Sequence, residues 1–275
     1  MARSNLTVRV LSAAVFGPLL TVLFFWGGPA LFFCLCVVVA GGAWEFYRMC
    51  RVKGLQPWTK FGIAASLAWC LGVFWKGREA MPVLLTGVVL LGLVMALSGE
   101  SGCRLRNLST TFFGVIYVGC LGSFGLLVRN FSLPEWSEQG AAIFTVLVLF
   151  GIWGSDILAY FLGRWLGRWH PFPNVSPGKT DAGFVGALLG ALGVILCGVY
   201  AFELLSWAEG VGLGILIGLG APVGDLVESM MKRDTGVKDA STVIPGHGGI
   251  LDRFDSLLFV FPLVYLYLLF LKAMG

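Results

Sequence analysis

Apolar runs of roughly 20 residues, the length that crosses a bilayer core as a helix, recur along this chain from one end to the other, separated by short polar breaks. They predict about nine transmembrane helices, near residues 10–26, 29–47, 61–75, 80–98, 111–128, 141–162, 183–202, 207–227 and 254–271, the third being the most marginal. The first run resembles the core of a signal peptide. Its apolar stretch from Val10 to Trp26 is long, however, and eight further runs follow, so it is expected to be retained. The fold class is therefore an all-α integral membrane protein.

Composition points the same way. Only 12% of the residues are charged and 57% are hydrophobic, with a mean hydropathy of +0.87, whereas about a quarter of a soluble domain is charged. So little charge cannot coat a water-facing surface. The seven cysteines, Cys34, Cys36, Cys50, Cys70, Cys103, Cys120 and Cys197, sit mostly within apolar runs and form no C-x-x-C pair. They read as packing residues.

The distribution of cations predicts orientation. With the N-terminus in the cytoplasm, fifteen of the nineteen Lys and Arg residues fall inside: Arg3, Arg9, Arg48, Arg51, Lys53, Lys60, Arg104, Arg106, Arg164, Arg168, Lys179, Lys232, Arg233, Lys238 and Arg253. Lys76, Arg78, Arg129 and Lys272 fall outside. That asymmetry is what the positive-inside rule requires, and it places the C-terminus outside. The net charge of +4 gathers on this map at the face where anionic headgroups attract it. Without a long basic stripe interleaved with aromatics, nucleic acid is not an expected partner.

Residues 1–140 are nearly free of charge within their apolar runs and read as a scaffold offering a lipid or dimer surface. The exception is Glu45, in Trp44-Glu45-Phe46-Tyr47-Arg48, expected to be an interfacial anchor. In residues 141–275 polar side chains crowd the cytoplasmic ends of the sixth, eighth and ninth runs, and there the chemistry is expected. Glycines recur four residues apart, as Gly186 and Gly190, Gly214 and Gly218, Gly220 and Gly224. That spacing predicts close helix packing.

On a helix, Asp225, Glu228, Ser229 and Lys232 share one face, at i, i+3, i+4 and i+7. A carboxylate at membrane depth is costly and suggests function. Pro222 just before it cannot donate a helical hydrogen bond and is expected to kink or loosen the helix. Then comes Pro245-Gly246-His247-Gly248-Gly249, a glycine loop whose amides can approach phosphate, followed by Asp252 and Asp255 at i, i+3. Carboxylates flanking such a loop suit Mg²⁺, which shares its oxygen shell between side chains, water and substrate phosphates. Lys232, Arg233, Lys238 and Arg253 would neutralise further phosphate charge. A third piece carries Asp156, Tyr160, Gly163 and Arg164, then Ser176, Pro177, Gly178, Lys179 and Thr180, where Ser176, Lys179 and Thr180 also suit phosphate. With only two histidines, neither paired with a cysteine, no zinc pattern competes.

The run Ser229-x-x-Lys232-Arg233-x4-Lys238-Asp239-x-Ser241-x-x-Ile244-Pro245-x-His247-Gly248-Gly249-Ile250-x-Asp252-Arg253-Phe254-Asp255 resembles the signature of the phosphatidate cytidylyltransferase (CDP-diacylglycerol synthase) family throughout its 27 residues (255 − 229 + 1). The resemblance implies that phosphatidate and CTP give CDP-diacylglycerol and pyrophosphate. It assigns Asp225 and Asp252 to Mg²⁺, with K⁺ as an optional second cation, and Asp255 joins them as a candidate. It assigns Ser229, Lys232, Arg233, Lys238, Asp239 and His247, and with them Gly248, Gly249 and Arg253, to the nucleotide and phosphate site. It also implies a homodimer. One departure stands out: the family reads Ser-Pro-x-Lys-Thr-Trp-Glu-Gly where this chain has Asp181-Ala182-Gly183 after Thr180. Two alternatives remain beside it. A CTP-dependent lipid alcohol kinase would attack the γ-phosphorus, and an ion-coupled transporter would scatter its carboxylates over facing helices at mid-depth.

Overall fold

The computed structural model describes residues 2–98, 104–241, 243 and 248–274, with the side chains of 2–13 and Ser98 left aside. Most of those residues are helical, with no β-strand among them: α1 (Ala2–Trp26), α2 (Gly28–Val52), α3 (Thr59–Lys76), α4 (Ala80–Ser98), α5 (Arg104–Gly114), α6 (Leu121–Arg129), α7 (Glu138–Leu166), α8 (Asp181–Phe202), α9 (Trp207–Asp234) and α10 (Leu251–Met274). A π-helical turn, Val115–Cys120, joins α5 to α6, so that Arg104–Arg129 runs on as one helix.

Among the described residues, seven stretches are long and apolar enough to cross a bilayer: Gly28–Val52, Thr59–Leu97, Arg104–Arg129, Glu138–Leu166, Asp181–Phe202, Trp207–Asp234 and Leu251–Met274. Within α1 the apolar part is Ala14–Trp26. The helices outlast the apolar runs that announce them: α2 continues to Val52 and α9 to Asp234, because helical hydrogen bonding goes on where polar side chains leave the hydrocarbon. Thr59–Leu97 contains two expected spans. A Cβ on Gly72 would lie 2.8 Å from Leu84 Cδ1 and 3.3 Å from Ala80 Cβ. Residues 72 and 84 would be about 18 Å apart on a straight helix at 1.5 Å per residue, so α4 folds back against α3 after the 3-10 turn Gly77–Glu79.

The chain packs as two compact units, each assembled from three stretches: Met1–Phe16, Gly28–Leu127 and Lys232–Phe254 in the first, and Gly17–Gly27, Val128–Met231 and Asp255–Gly275 in the second. In the first, Tyr47 is fully buried and donates to Thr111 O at 2.8 Å. Gly62 and Gly114 leave its ring room, since a Cβ on Gly114 would lie 2.5 Å from the ring.

In the second unit the three glycine pairs do what their spacing predicts. Gly186 and Gly190 of α8 lie on the α7 backbone, where a Cβ on Gly186 would stand 2.6 Å from Leu158 O. Gly214 and Gly218 of α9 meet α8, with a Cβ on Gly218 2.7 Å from Leu188 Cα. Gly220 and Gly224 meet α10, with a Cβ on Gly224 2.9 Å from Asp255 O and 3.0 Å from Ser256 Cα. Small residues let membrane helices approach backbone to backbone. Arg129 is buried (7% exposed). It donates to the carbonyls of Phe24 (2.9 Å), Phe25 (2.9 Å) and Trp26 (3.3 Å), the last of α1, which have no partner within their own helix.

Candidate active site

Three carboxylates converge in the second unit. Asp225 and Glu228 stand one turn apart on α9 and Asp255 near the start of α10, with one oxygen of each within 4.8 Å of the others. Glu228 is fully buried, Asp255 is 9% exposed and the Asp225 side chain is 42% exposed. Lys179 reaches the group from the turn before α8: its Nζ lies 2.9 Å from Asp225 Oδ2 and donates to Pro222 O at 2.8 Å. Ser229 Oγ donates to Asp225 Oδ1 at 3.2 Å, and Asp255 Oδ1 accepts from the Ser256 amide at 2.7 Å. Pro222 does not interrupt α9, which runs unbroken from Trp207 to Asp234. Its carbonyl serves the cation instead.

Ionised carboxylates this close repel one another. Lys179 offsets part of the negative charge that Asp225, Glu228 and Asp255 bring together, and a divalent cation would offset more. Points no more than 4.8 Å apart lie within 4.8/√3, about 2.8 Å, of a common centre, so inward shifts of about 0.7 Å reach the 2.0–2.1 Å of a Mg²⁺–oxygen bond. The donors are hard oxygens at a spacing that small side-chain shifts bring within reach of Mg²⁺.

Of the third piece, Lys179 touches Asp225. Ser176 is half-buried and its carbonyl accepts from the Lys179 amide at 3.1 Å, forming the turn that presents the lysine. Thr180 is buried and caps α8, its hydroxyl accepting from the Gly183 amide at 3.2 Å. Asp181 Oδ1 accepts from the amides of Ala182 (2.7 Å), Arg168 (3.3 Å) and Trp169 (3.4 Å), so the carboxylate at the point of departure from the family pattern shapes a turn.

The glycine-loop residues belong to the first unit. Lys232 and Asp252 form a largely buried ion pair, Nζ to Oδ1 at 2.6 Å. Asp252 Oδ2 accepts from the amides of Gly249 (2.7 Å) and Ala240 (3.1 Å). Gly248 has φ +85°, and a Cβ there would stand 2.9 Å from Asp252 Oδ2, so both backbone and space require glycine. Arg233, Lys238, Asp239 and Arg253 are exposed. His247 lies outside the described residues.

Glu45 corrects the expectation most sharply. Rather than anchoring at an interface it is completely buried. Its carboxylate accepts from the Ser241 hydroxyl and from the amides of Ile250 (2.9 Å) and Leu251 (2.7 Å). Trp44 and Arg48 do suit the surface, with the Arg48 guanidinium carbon 5.5 Å from the Trp44 ring centroid. Phe46 and Tyr47 are buried.

Comparison with known proteins fixes what carries these clusters. The sequence pattern of the "Cytidylyltransferase family" matches residues 7–271. The chain belongs to the cytidylyltransferase family. It is 35% identical to a phosphatidate cytidylyltransferase of Synechocystis sp., over 96% of this chain and 97% of that protein. It is 31% identical to phosphatidate cytidylyltransferase 4, chloroplastic, of Arabidopsis thaliana, over 84% and 68% respectively. Against a phosphatidate cytidylyltransferase of Staphylococcus aureus the identity is 43%, over 43% and 46%.

In this cytidylyltransferase, the sequence pattern puts Glu228 on the face of Asp225 without grouping it with Asp255, and it misses the task of Glu45. Signals existed for both. Glu228 is a second carboxylate one turn from Asp225. The helix that begins at Leu251 has Gly249 and Ile250 before it, not a Ser, Thr, Asp or Asn cap, so its first amides call for a remote acceptor.

Proposed function

We propose that this cytidylyltransferase transfers the cytidylyl group of CTP to phosphatidate, giving CDP-diacylglycerol and pyrophosphate for phospholipid biosynthesis. The observation that carries this reading is the convergence of Asp225, Glu228 and Asp255 beside Lys179, in a chain alike from end to end with a protein named phosphatidate cytidylyltransferase. A phosphatidate phosphate oxygen, already anionic at neutral pH, attacks the α-phosphorus of CTP in line. The new P–O bond forms as the bond to pyrophosphate breaks, so no covalent enzyme intermediate and no strong general base are needed. Asp225, Glu228 and Asp255 hold Mg²⁺, which when bound withdraws negative charge from phosphate oxygens. Lys179 holds Asp225 in place. Lys232, Arg233, Lys238 and Arg253 bind phosphate, and Asp239, Ser229, Gly248, Gly249 and His247 complete the nucleotide site. Asp252, the remaining carboxylate of the proposed metal set, holds the Lys232 ammonium and two amides, so it reaches a cation, Mg²⁺ or K⁺, only by exchanging Lys232 for it. Catalysis is positioning and electrostatic stabilisation.

The proposal places nine spans in the inner membrane, N-terminus in and C-terminus out, with the site facing the cytoplasm and two copies forming a homodimer. The cation asymmetry supports the orientation. In a cysteine-free background, Gln56→Cys should react with an impermeant maleimide only from the cytoplasmic side and Glu135→Cys only from the outside; the reverse pattern overturns the orientation. A monomeric mass by light scattering in detergent would remove the dimer. The reaction itself is tested with purified protein, phosphatidate and CTP labelled at the α- or γ-phosphate. α-Label should enter lipid and γ-label should leave as pyrophosphate. γ-Label in lipid would establish the lipid alcohol kinase instead.

A further inference from the structure

We propose that Glu45, far from the signature in sequence, is a positioning residue of the cytidylyl-transfer site: it closes the base of the segment that carries the glycine loop. The inference rests on the cytidylyltransferase reading above. Two carboxylates each tie the same two feet of that segment. Asp252 Oδ2 takes the Ala240 amide on one foot and the Gly249 amide on the other. Glu45 Oε1 takes the Ser241 hydroxyl on one foot and the Ile250 amide on the other, and its Oε2 takes the Leu251 amide. All of these groups lie in the first unit.

The pairing has a physical logic. Ile250 and Leu251 open α10, whose first amides have no intrahelical acceptor and carry the positive end of its dipole. A fully buried carboxylate is costly without such partners, and Glu45 meets three donors at that spot. Bringing Ser241 and Ile250 together costs chain entropy, which the bridge meets before any substrate arrives. No room is left for slack: a Cβ on Gly249 would stand 2.7 Å from Glu45 Oε2. Glu45 touches no reacting atom in this scheme. It acts through Ser241 and the start of α10, and so through the loop amides and the neighbouring cations.

Glu45→Gln and Ser241→Ala test this, singly and together, in the full-length protein. Glutamine keeps the shape but presents NH₂ to donors. A variant that merely folds less well loses apparent kcat and keeps its KM, whereas a displaced loop also raises the KM for CTP. We expect Glu45→Gln to raise that KM at least about fivefold and lower kcat/KM about thirtyfold, with Ser241→Ala intermediate and the double variant within about twofold of Glu45→Gln, because coupled residues are not additive. An unchanged KM in Glu45→Gln overturns the proposal, as does full additivity. If Glu45→Gln does not fold, Ser241→Ala decides alone: a KM raised about threefold or more supports the clamp, and one within about 1.5-fold of the parent refutes it. Failure of the parent to transfer α-label from CTP would sink the reaction, not the clamp. In that event amide hydrogen exchange decides, with protection at Ile250 and Leu251 falling selectively in Ser241→Ala or staying at the parent level.

Discussion

Asp225→Asn removes one unit of charge from a group of three carboxylates and one ammonium, and little else. The asparagine oxygen still accepts from Ser229. The pair lost with Lys179 is part-exposed and contributes no more than about 1 kcal/mol to stability. The effect on Mg²⁺ is larger. The common centre of the three oxygens lies within about 2.8 Å of each; at that distance a unit charge and a divalent ion interact by 332 × 2/(80 × 2.8), about 3 kcal/mol, even with the dielectric constant of bulk water. Bulk water is the conservative choice for a side chain that is 42% exposed. About 3 kcal/mol is roughly 150-fold in binding, so the free Mg²⁺ that half-saturates α-label transfer should rise about a hundredfold or more. A second readout needs no turnover: the rise in unfolding temperature on adding Mg²⁺ should shift to correspondingly higher concentrations. If the folded variant kept a half-saturating Mg²⁺ within threefold of the parent by both measurements, these carboxylates would not be the Mg²⁺ site.

Other expectations are separable from it. Gly186→Leu drives a side chain into the α7 backbone and should cost about 1–3 kcal/mol, read as a lowered thermal midpoint in detergent; Gly193→Leu, where a Cβ meets nothing within 4 Å, should leave it unchanged. Arg129→Met strips three carbonyls of α1 of their donor and should destabilise by about 3 kcal/mol without changing the KM for CTP. Asp234→Asn breaks only an exposed pair with Lys53 and should leave activity within about twofold and stability within about 0.5 kcal/mol.

The helices were legible because a bilayer leaves few options: a run of apolar residues must satisfy its backbone internally. The glycine seams were legible too, since four-residue spacing puts both glycines of a pair on one helix face. What resisted was every partnership distant in sequence. Glu45 meets Ser241, Ile250 and Leu251 across 196, 205 and 206 residues, and no local pattern encodes that distance. Read locally, a carboxylate next to Trp and Arg at the end of an apolar run is an anchor. Similarly, the i, i+3 spacing of Asp252 and Asp255 groups them, yet Asp255 converges with Asp225 and Glu228 whereas Asp252 holds Lys232 and the loop amides. Spacing tells which side chains a helix presents together; what each one finds depends on the neighbouring helix. Thr180 shows a third kind of ambiguity, because a hydroxyl suited to phosphate is equally suited to cap the helix it precedes, and here it caps.

The contact of Gly224 with α10 fixes how closely the main chains behind two of the converging carboxylates approach. Asp225 follows that glycine and Asp255 supplies the carbonyl it rests against, so main-chain contact sets the spacing of the two backbones while the side chains adjust. A Cβ at position 224, 2.9 Å from Asp255 O, would part those backbones and carry the two carboxylates away from each other.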